Sequence, residues 1–440
     1  MWRSFPLVFW ISSLLPMQAD TPVTFYKDAL PILQARCQSC HRPGEAGPMP
    51  LVTYRQARPW AKAIRQAVLT RKMPPWSAEP GIARLRNDPT LSEEEIRTLT
   101  TWADSGAPEG DPKHAPPVRQ FLEGWNIGQP EAVFEMPIEY EVPATGTIDY
   151  TYVILPANFK EDKWVQASEV RPGNRAVVHH AVAWVRTPGS QWLRDYPTGV
   201  PFLPKPRAGS AKRTSDGDRT LEGSIHDERI ANYAPGRPAW IFQPGHAMLI
   251  RAGSDVVFQL HYTTNGKAAR DRSKIGFRFA PQAPGKRVFN FGIGNADFVI
   301  PPGAPAHAVH GAETLMHDIE LLSFNPHMHL RGKAMEYRAV HPNGKSEVLM
   351  RVPRYDFRWQ HMYELAQPKL IPKGTRLEVT ALFDNSPNNP DNPDPKAAVR
   401  WGDQSWEEMM VGFVNLLIDP KVDVNKIVAA RPREQSGGVR

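Results

Sequence analysis

Two kinds of hydrophobic pattern divide this chain. Ahead of residue 110, Leu91-Ser-Glu-Glu-Glu-Ile-Arg-Thr-Leu-Thr-Thr-Trp102 reads as an amphipathic helix. Ser92 is its N-cap, Glu95 can close a capping box, and Gly106 and Pro108 stop it. Past a Pro-rich stretch, Pro108 to Pro117, helical spacing disappears. Short alternating runs replace it, such as Asp149-Tyr-Thr-Tyr-Val-Ile-Leu155 and Val256-Val-Phe-Gln-Leu-His-Tyr262, with Pro/Gly turns between them. These runs echo one another across two halves. Val142-Pro143-Ala-Thr-Gly recurs as Ile300-Pro301-Pro-Gly, and Ala252 to Asn265 aligns with Lys373 to Ser386. Two all-β sandwiches follow from that echo, with a boundary near 285 to 298.

Composition narrows the fold class. With 440 residues the chain exceeds one compact core, and 45 prolines with 31 glycines exclude a long-helix bundle. The net charge of +7 is scattered, and no basic run interleaved with aromatics suggests nucleic acid as a partner.

The first twenty residues read as a secretory signal. Arg3 supplies the basic start, Phe5 to Leu15 the apolar stretch and Ala19 the last residue before cleavage. The apolar stretch is too short to cross about 30 Å of hydrocarbon as an anchor. The mature protein is therefore expected to be soluble and periplasmic or secreted. Only two cysteines exist, and they stand together as Cys37-Gln-Ser-Cys40-His41. That is the attachment signature of haem c: two thioethers tether the vinyl groups, and the following histidine becomes an axial ligand. A thioredoxin-like dithiol leaves His41 unexplained, and zinc lacks a second cysteine pair. The sixth ligand is expected from Met73, in Lys72-Met73-Pro74-Pro75-Trp76, with Met49 as the alternative. Haem motif, MPPW loop and closing helix together resemble a small class I cytochrome c over residues 25 to 110. A haem peroxidase, which needs an open iron site, is a further possibility.

Histidines cluster within the β region. His179 and His180 lie in a strand-like run, His261 in another, and His327 and His329 in Asn325-Pro-His-Met-His-Leu-Arg-Gly332. An i, i+2 pair shares one strand face, so His327 and His329 can reach one ion. Adjacent His179 and His180 can do so only where the strand ends or bulges.

The segments VVHHAVAW, FQLHYTTNG, NPHMHLRG and SWEEMMVGF resemble the metal-binding blocks of the copper type II, ascorbate-dependent monooxygenases, in the same order over residues 130 to 430. Peptidylglycine α-hydroxylating monooxygenase and dopamine β-monooxygenase are members. The resemblance implies two jelly-roll sandwiches and two copper ions. One copper, for electron transfer, would be held by His179, His180 and His261. The other, which activates oxygen, would be held by His327, His329 and Met409, with Met410 as the register alternative. Two imidazoles and a thioether suit soft Cu(I), and three imidazoles suit a copper that cycles. Where the first half has His261 the repeat has Leu382, which fits a second site that takes its third ligand elsewhere. The chain lacks the disulfides of the animal enzymes. Asn325 and Phe413 stand where the peptide-amidating enzyme has an Arg and a Tyr that bind the substrate carboxylate, which argues against a peptidyl-glycine substrate. His246, His317 and His361 are expected to be structural or to support the ligand residues from behind.

The expected layout is a signal peptide at 1–19, an all-α cytochrome c domain at 20–112, a linker at 113–125, jelly rolls at 126–290 and 291–430, and a tail at 431–440. The expected function is an exported haem–copper monooxygenase that hydroxylates a C–H bond of a small organic substrate with dioxygen. An external donor would reduce the haem, and the haem would feed the His179/His180/His261 copper. The alternative is a periplasmic copper and haem electron-transfer or copper-binding protein without oxygenase activity.

Overall fold

A computed structural model describes residues 22–45, 47–121, 124–204, 228–234 and 239–429. The segments expected as signal peptide and tail lie outside the described residues. No described helix is long and apolar enough to cross a membrane.

The N-terminal unit is helical, with helices Leu30–Arg36, Tyr54–Ala57, Ala61–Leu69 and Glu93–Asp104. Glu93–Asp104 begins with the capping box that its sequence foretells. Glu95 N donates to Ser92 Oγ at 3.1 Å, and Ser92 N donates to Glu95 Oε2 at 2.7 Å. The helix stops before Gly106, whose φ of +86° is left-handed backbone that glycine adopts without strain. Ile96, Leu99 and Trp102 share its buried face and pack with Phe25, Leu33 and Val68. The stretch expected as a linker folds back onto this unit: the Arg42 guanidinium lies 3.9 Å from the centre of the Phe121 ring.

The rest of the chain is β. A nine-stranded sheet runs through the whole β region. Its first half orders the strands Ala132–Glu135, Lys274–Phe279, Lys163–Arg171 and His246–Ile250, with Trp240–Ile241 to one side. Its second half orders Lys286–Gly294, Val411–Ile418, Ile319–His327 and Tyr363–Ile371. A four-stranded sheet covers each half. In chain space these are Thr151–Pro156, Asp255–Tyr262, Val178–Arg186, Glu228–Tyr233 and then His307–Thr314, Arg376–Phe383, Gly332–Val340, Ser346–Val352. Two β sandwiches result, each with its own buried cluster. The aligned strands Asp255–Tyr262 and Arg376–Phe383 hold matching interior places in the two four-stranded sheets, as the repeat implies.

The halves join edge to edge. Lys286 and Arg287 pair in parallel with His246 and Ala247. A division between residues 290 and 291 therefore falls inside the strand Lys286–Gly294, which serves both cores. Phe289, Phe291 and Ile293 enter the second cluster, while Val288, on the opposite face, enters the first. A turn around Pro281, Pro284 and Gly285 precedes this strand. Beside this junction the Arg287 guanidinium pairs with the Glu228 carboxylate, both nearly sealed from solvent.

Candidate metal centres

The first histidine set is made by a strand irregularity. Val178–Arg186 pairs antiparallel with Asp255–Tyr262, so that Val178 faces Tyr262 and His180 faces His261. The register slips between Val178 and His180. On a regular strand His179 would point to the face opposite His180. The extra residue turns it back toward the same point. His179 Nδ1 stands 3.3 Å from His261 Nδ1 and 3.3 Å from His180 Nδ1, and one nitrogen from each ring lies within 4.8 Å of the others. Burial holds all three rings below the ordinary imidazole range, His261 down to about 3, with neighbouring histidines adding to the effect on His180 and His261. Neutral rings that converge are what a metal ion takes as ligands.

The second set sits where the strand Ile319–His327 ends. His327 is paired with Val411. The pairing of the two strands ends there, and Glu408, Met409 and Met410 immediately precede the partner strand Val411–Ile418. Met328 and Met410 both belong to the second buried cluster, whereas Met409, equally sealed from solvent, does not. Of the two register alternatives, Met410 is the one packed in that cluster. His327 Nδ1 lies 2.9 Å from Gln360 Oε1, and His329 Nδ1 lies 3.3 Å from the Glu407 carbonyl. Both partners are oxygen acceptors, which assigns the ring proton to Nδ1 and the lone pair to Nε2. His329 Nε2 is buried with no hydrogen-bond partner among the described residues. A buried orphan acceptor is costly unless something occupies it.

Three residues that the sequence reading passed over hold this set in place. The buried Glu408 carboxylate accepts from His329 N at 2.8 Å and Arg331 N at 2.6 Å. Arg331, itself sealed, donates from Nε to Asn385 Oδ1 at 2.8 Å and from Nη1 to the Trp406 carbonyl at 2.8 Å. Gln360 orients His327. Glu408 and Arg331 lie inside the quoted blocks SWEEMMVGF and NPHMHLRG, so their nearness to ligand-type residues was the available signal. Gln360 gave none.

The two sets are neighbours. The Tyr150 ring centre is 5.4 Å from that of His180, 4.9 Å from His261 and 6.3 Å from His329. Phe357 likewise lies 6.1 Å from His261 and 5.9 Å from His329. A narrow cleft lined by Tyr150, His180, Trp184, His327, Gln360 and Phe413 borders both sets. They do not occupy equivalent places in the two sandwiches. The first set comes from a four-stranded sheet, the second from strand ends of the long sheet. The histidine segments are therefore not repeated in position, although the strands around them are.

In the helical unit, Cys37 closes the helix Leu30–Arg36, and the next turn brings His41 N within 2.9 Å of the Cys37 carbonyl. Neither cysteine is in a disulfide. His41 Nδ1 lies 3.1 Å from the Met49 carbonyl, which places the ring proton on Nδ1 and the lone pair on Nε2. A Cβ at Gly47 would come within 2.7 Å of that His41 Nδ1, so only glycine lets the chain close over the ring. Burial pushes the Cys37 thiol up to about 12 and raises Cys40 too, the opposite of a reactive dithiol. Met49 and Met73 are both half-buried, and Met49, like Cys37, packs against the edge of the helical core.

No curated protein matches the chain. Among solved structures, PNGF-II in a P21 crystal form is 9% identical, with a TM-score of 0.25; the match covers 65% of this chain and 60% of that one. The Gx strain of infectious bursal disease virus is 10% identical, with a TM-score of 0.19, over 68% of this chain and 74% of that one. Likenesses this slight carry no argument. The informative comparison is with a family: residues 289–430, the stretch that contains His327, His329 and Met409, match the C-terminal domain of the copper type II ascorbate-dependent monooxygenases and so support a copper-dependent monooxygenase.

Proposed function

We propose that this chain is an exported monooxygenase that hydroxylates a C–H bond of a small organic substrate with dioxygen, using two coppers and a covalent haem c. His179, His180 and His261 would hold one copper; His327, His329 and Met409 would hold the other. Cys37 and Cys40 would carry the haem by thioethers, with His41 and Met73 as axial ligands. One atom of dioxygen enters the product and the other leaves as water, which requires two electrons and two protons from outside the substrate. Bound copper would supply one-electron redox chemistry and, with two imidazoles and a thioether favouring Cu(I), the activation of dioxygen.

The chain's own residues account for the rest. Gln360 and the Glu407 carbonyl hold the Nδ1 side of the His327 and His329 rings, so that Nε2 of each would be the nitrogen offered to an ion. Glu408 and Arg331 tie the loop after His327 to the segment before Val411, which sets the spacing of imidazoles and thioether. Tyr150, Trp184 and Phe413 line the cleft with aromatic rings, and Phe357 stands beside His261 and His329. Export agrees with the basic and apolar start of the chain and with thioether formation as the use of its only two cysteines.

One observation supports the reading most: the His179/His180/His261 cluster and the His327/His329 pair border a single cleft, with Tyr150 and Phe357 each beside both. An electron carrier needs one such set. Turnover in labelled dioxygen is the test. The proposal expects one heavy oxygen atom in the hydroxylated product. An unlabelled product, or activity that survives copper removal, contradicts it.

A further inference from the structure

The helical unit is seated on both sandwiches. On the second, Leu85 pairs antiparallel with Leu365, and Arg86 N donates to the Glu364 carbonyl at 2.9 Å. Glu79 N donates to the Arg351 carbonyl at 2.8 Å, and the two side chains pair at 2.9 Å. Trp76, Ala78 and Leu85 pack on the second sandwich's cluster and not on the helical core. This contact holds the unit through a segment far along the chain from Cys37, Cys40 and His41.

Contact with the first sandwich is made by the haem motif itself. Arg42 Nη2 donates to Glu45 Oε1 at 2.7 Å, and the other Glu45 oxygen takes the Arg175 guanidinium. All three side chains are only about a fifth exposed, so solvent screens this cluster less than a pair on an open surface. Arg175 sits in a braced turn. Asn174 N donates to the buried Asp271 Oδ1 at 2.9 Å, and Ala176 N donates to Asn174 Oδ1 at 3.1 Å. That turn runs straight into the strand Val178–Arg186, so the seat of the haem motif lies four residues before His179.

Tyr233 belongs to the same corner. It ends the strand Glu228–Tyr233 and is the cross-strand partner of Ala181, next in the chain to His180. It packs against the first sandwich's cluster, and Tyr233 and His180 both line the narrow cleft. Tyr233 also stands within electrostatic reach of Arg175, Glu45 and Cys40. Burial pushes its hydroxyl up to about 12, with Arg175 opposing the rise and Glu45 and Cys40 adding to it. The phenol therefore stays protonated and uncharged at neutral pH. Electronic coupling falls off more steeply across solvent or a gap than through packed groups and covalent bonds. Tyr233 and the Arg175 turn supply packed groups between Cys40 and the strand of His179 and His180.

Building on the haem–copper reading above, we propose that Glu45 and Arg175 seat the haem motif on the first sandwich, with Tyr233 packed between the Cys40 side and the His180 strand, so that the haem's electron enters at the His179/His180/His261 set. In that step haem iron goes from Fe(II) to Fe(III), and copper at this set goes from Cu(II) to Cu(I). One electron moves, and no bond or proton changes hands. Tyr233 is not itself oxidised. It acts as a positioning residue, as do Glu45 and Arg175.

The test is anaerobic and does not use turnover. Haem and copper are first counted in the full chain; a chain that takes up neither defeats the underlying reading before any variant is made. In the loaded protein the haem is reduced by a light pulse, and its reoxidation is followed by absorbance together with the Cu(II) resonance signal. Tyr233→Leu, Arg175→Ala and His261→Ala are expected to lose the fast reoxidation phase, while Tyr233→Phe, Arg175→Lys and His327→Ala keep it. An unchanged Cu(II) resonance from the His179/His180/His261 set shows that Tyr233→Leu and Arg175→Ala leave that set intact. Where Tyr233→Leu disturbs the signal, Arg175→Ala decides. A fast phase that survives in an intact Tyr233→Leu or Arg175→Ala protein or in His261→Ala, or that vanishes in His327→Ala, overturns the proposal.

Discussion

His180 and His261 face each other as direct cross-strand partners, and the extra residue before His180 swings His179 to the same point. A metal set built this way depends on each ring and little on the surrounding core, because His179 and His261 are only half-buried. His179→Ala and His261→Ala should each fold normally, retain haem, and lose one bound copper per chain. Metal analysis after dialysis checks this, with the Cu(II) resonance spectrum showing that the remaining copper is the other one.

Neighbouring methionines should part company. Met410 is packed in the second sandwich, so Met410→Ala should cost about 2–5 kcal/mol of stability, as large-to-small core changes do. It should leave copper binding intact. Met409→Ala should instead remove the sulfur signal from the X-ray absorption of the Cu(I) form. Denaturant unfolding and that spectrum, measured on both variants, separate the roles.

Glu408 acts by position. Its carboxylate serves two buried backbone N–H groups, those of His329 and Arg331. Glu408→Ala leaves both without a partner, at about 1–3 kcal/mol each. Because His329 is then held less firmly, copper affinity at that set should fall about 10- to 100-fold, in line with other outer-shell changes. Copper titration against a competing chelator measures the second effect, and urea unfolding the first.

The two sandwiches share a sealed ion pair, Arg287 with Glu228, whose side chains are 5% and 7% exposed. Removing one partner strands the other charge. Arg287→Met should therefore destabilise by about 3–5 kcal/mol, while Arg287→Met combined with Glu228→Met should recover most of the loss. A double-mutant cycle by thermal unfolding decides it.

Much of this architecture was legible in the residues, for identifiable reasons. The helix at 93–104 was readable because Ser92 and Glu95 satisfy each other locally. The strands around Val153 and Phe258 were readable because their apolar runs sit between turn residues. The requirement for a bulge at His179 followed from strand geometry alone. Other features depend on contacts between residues distant in sequence, which no local pattern encodes. The strand Lys286–Gly294 serves two cores because its two faces meet different sheets, and a single sequence does not say which sheets. Residues 76–87 look like a loop of the helical unit, since Pro74, Pro75 and Pro80 forbid regular structure; that they pair with Glu364 and Arg351 is visible only in three dimensions. Gln360 and Tyr150 carry no motif. Their importance lies wholly in what stands next to them.

Metal content tests the haem–copper reading most directly. The full chain, produced in a host that exports it and attaches haem, should bind two coppers and one haem per chain. His261→Ala should remove one copper, and His327→Ala the other. One copper or none in the unaltered protein, or a copper count indifferent to both substitutions, would contradict it.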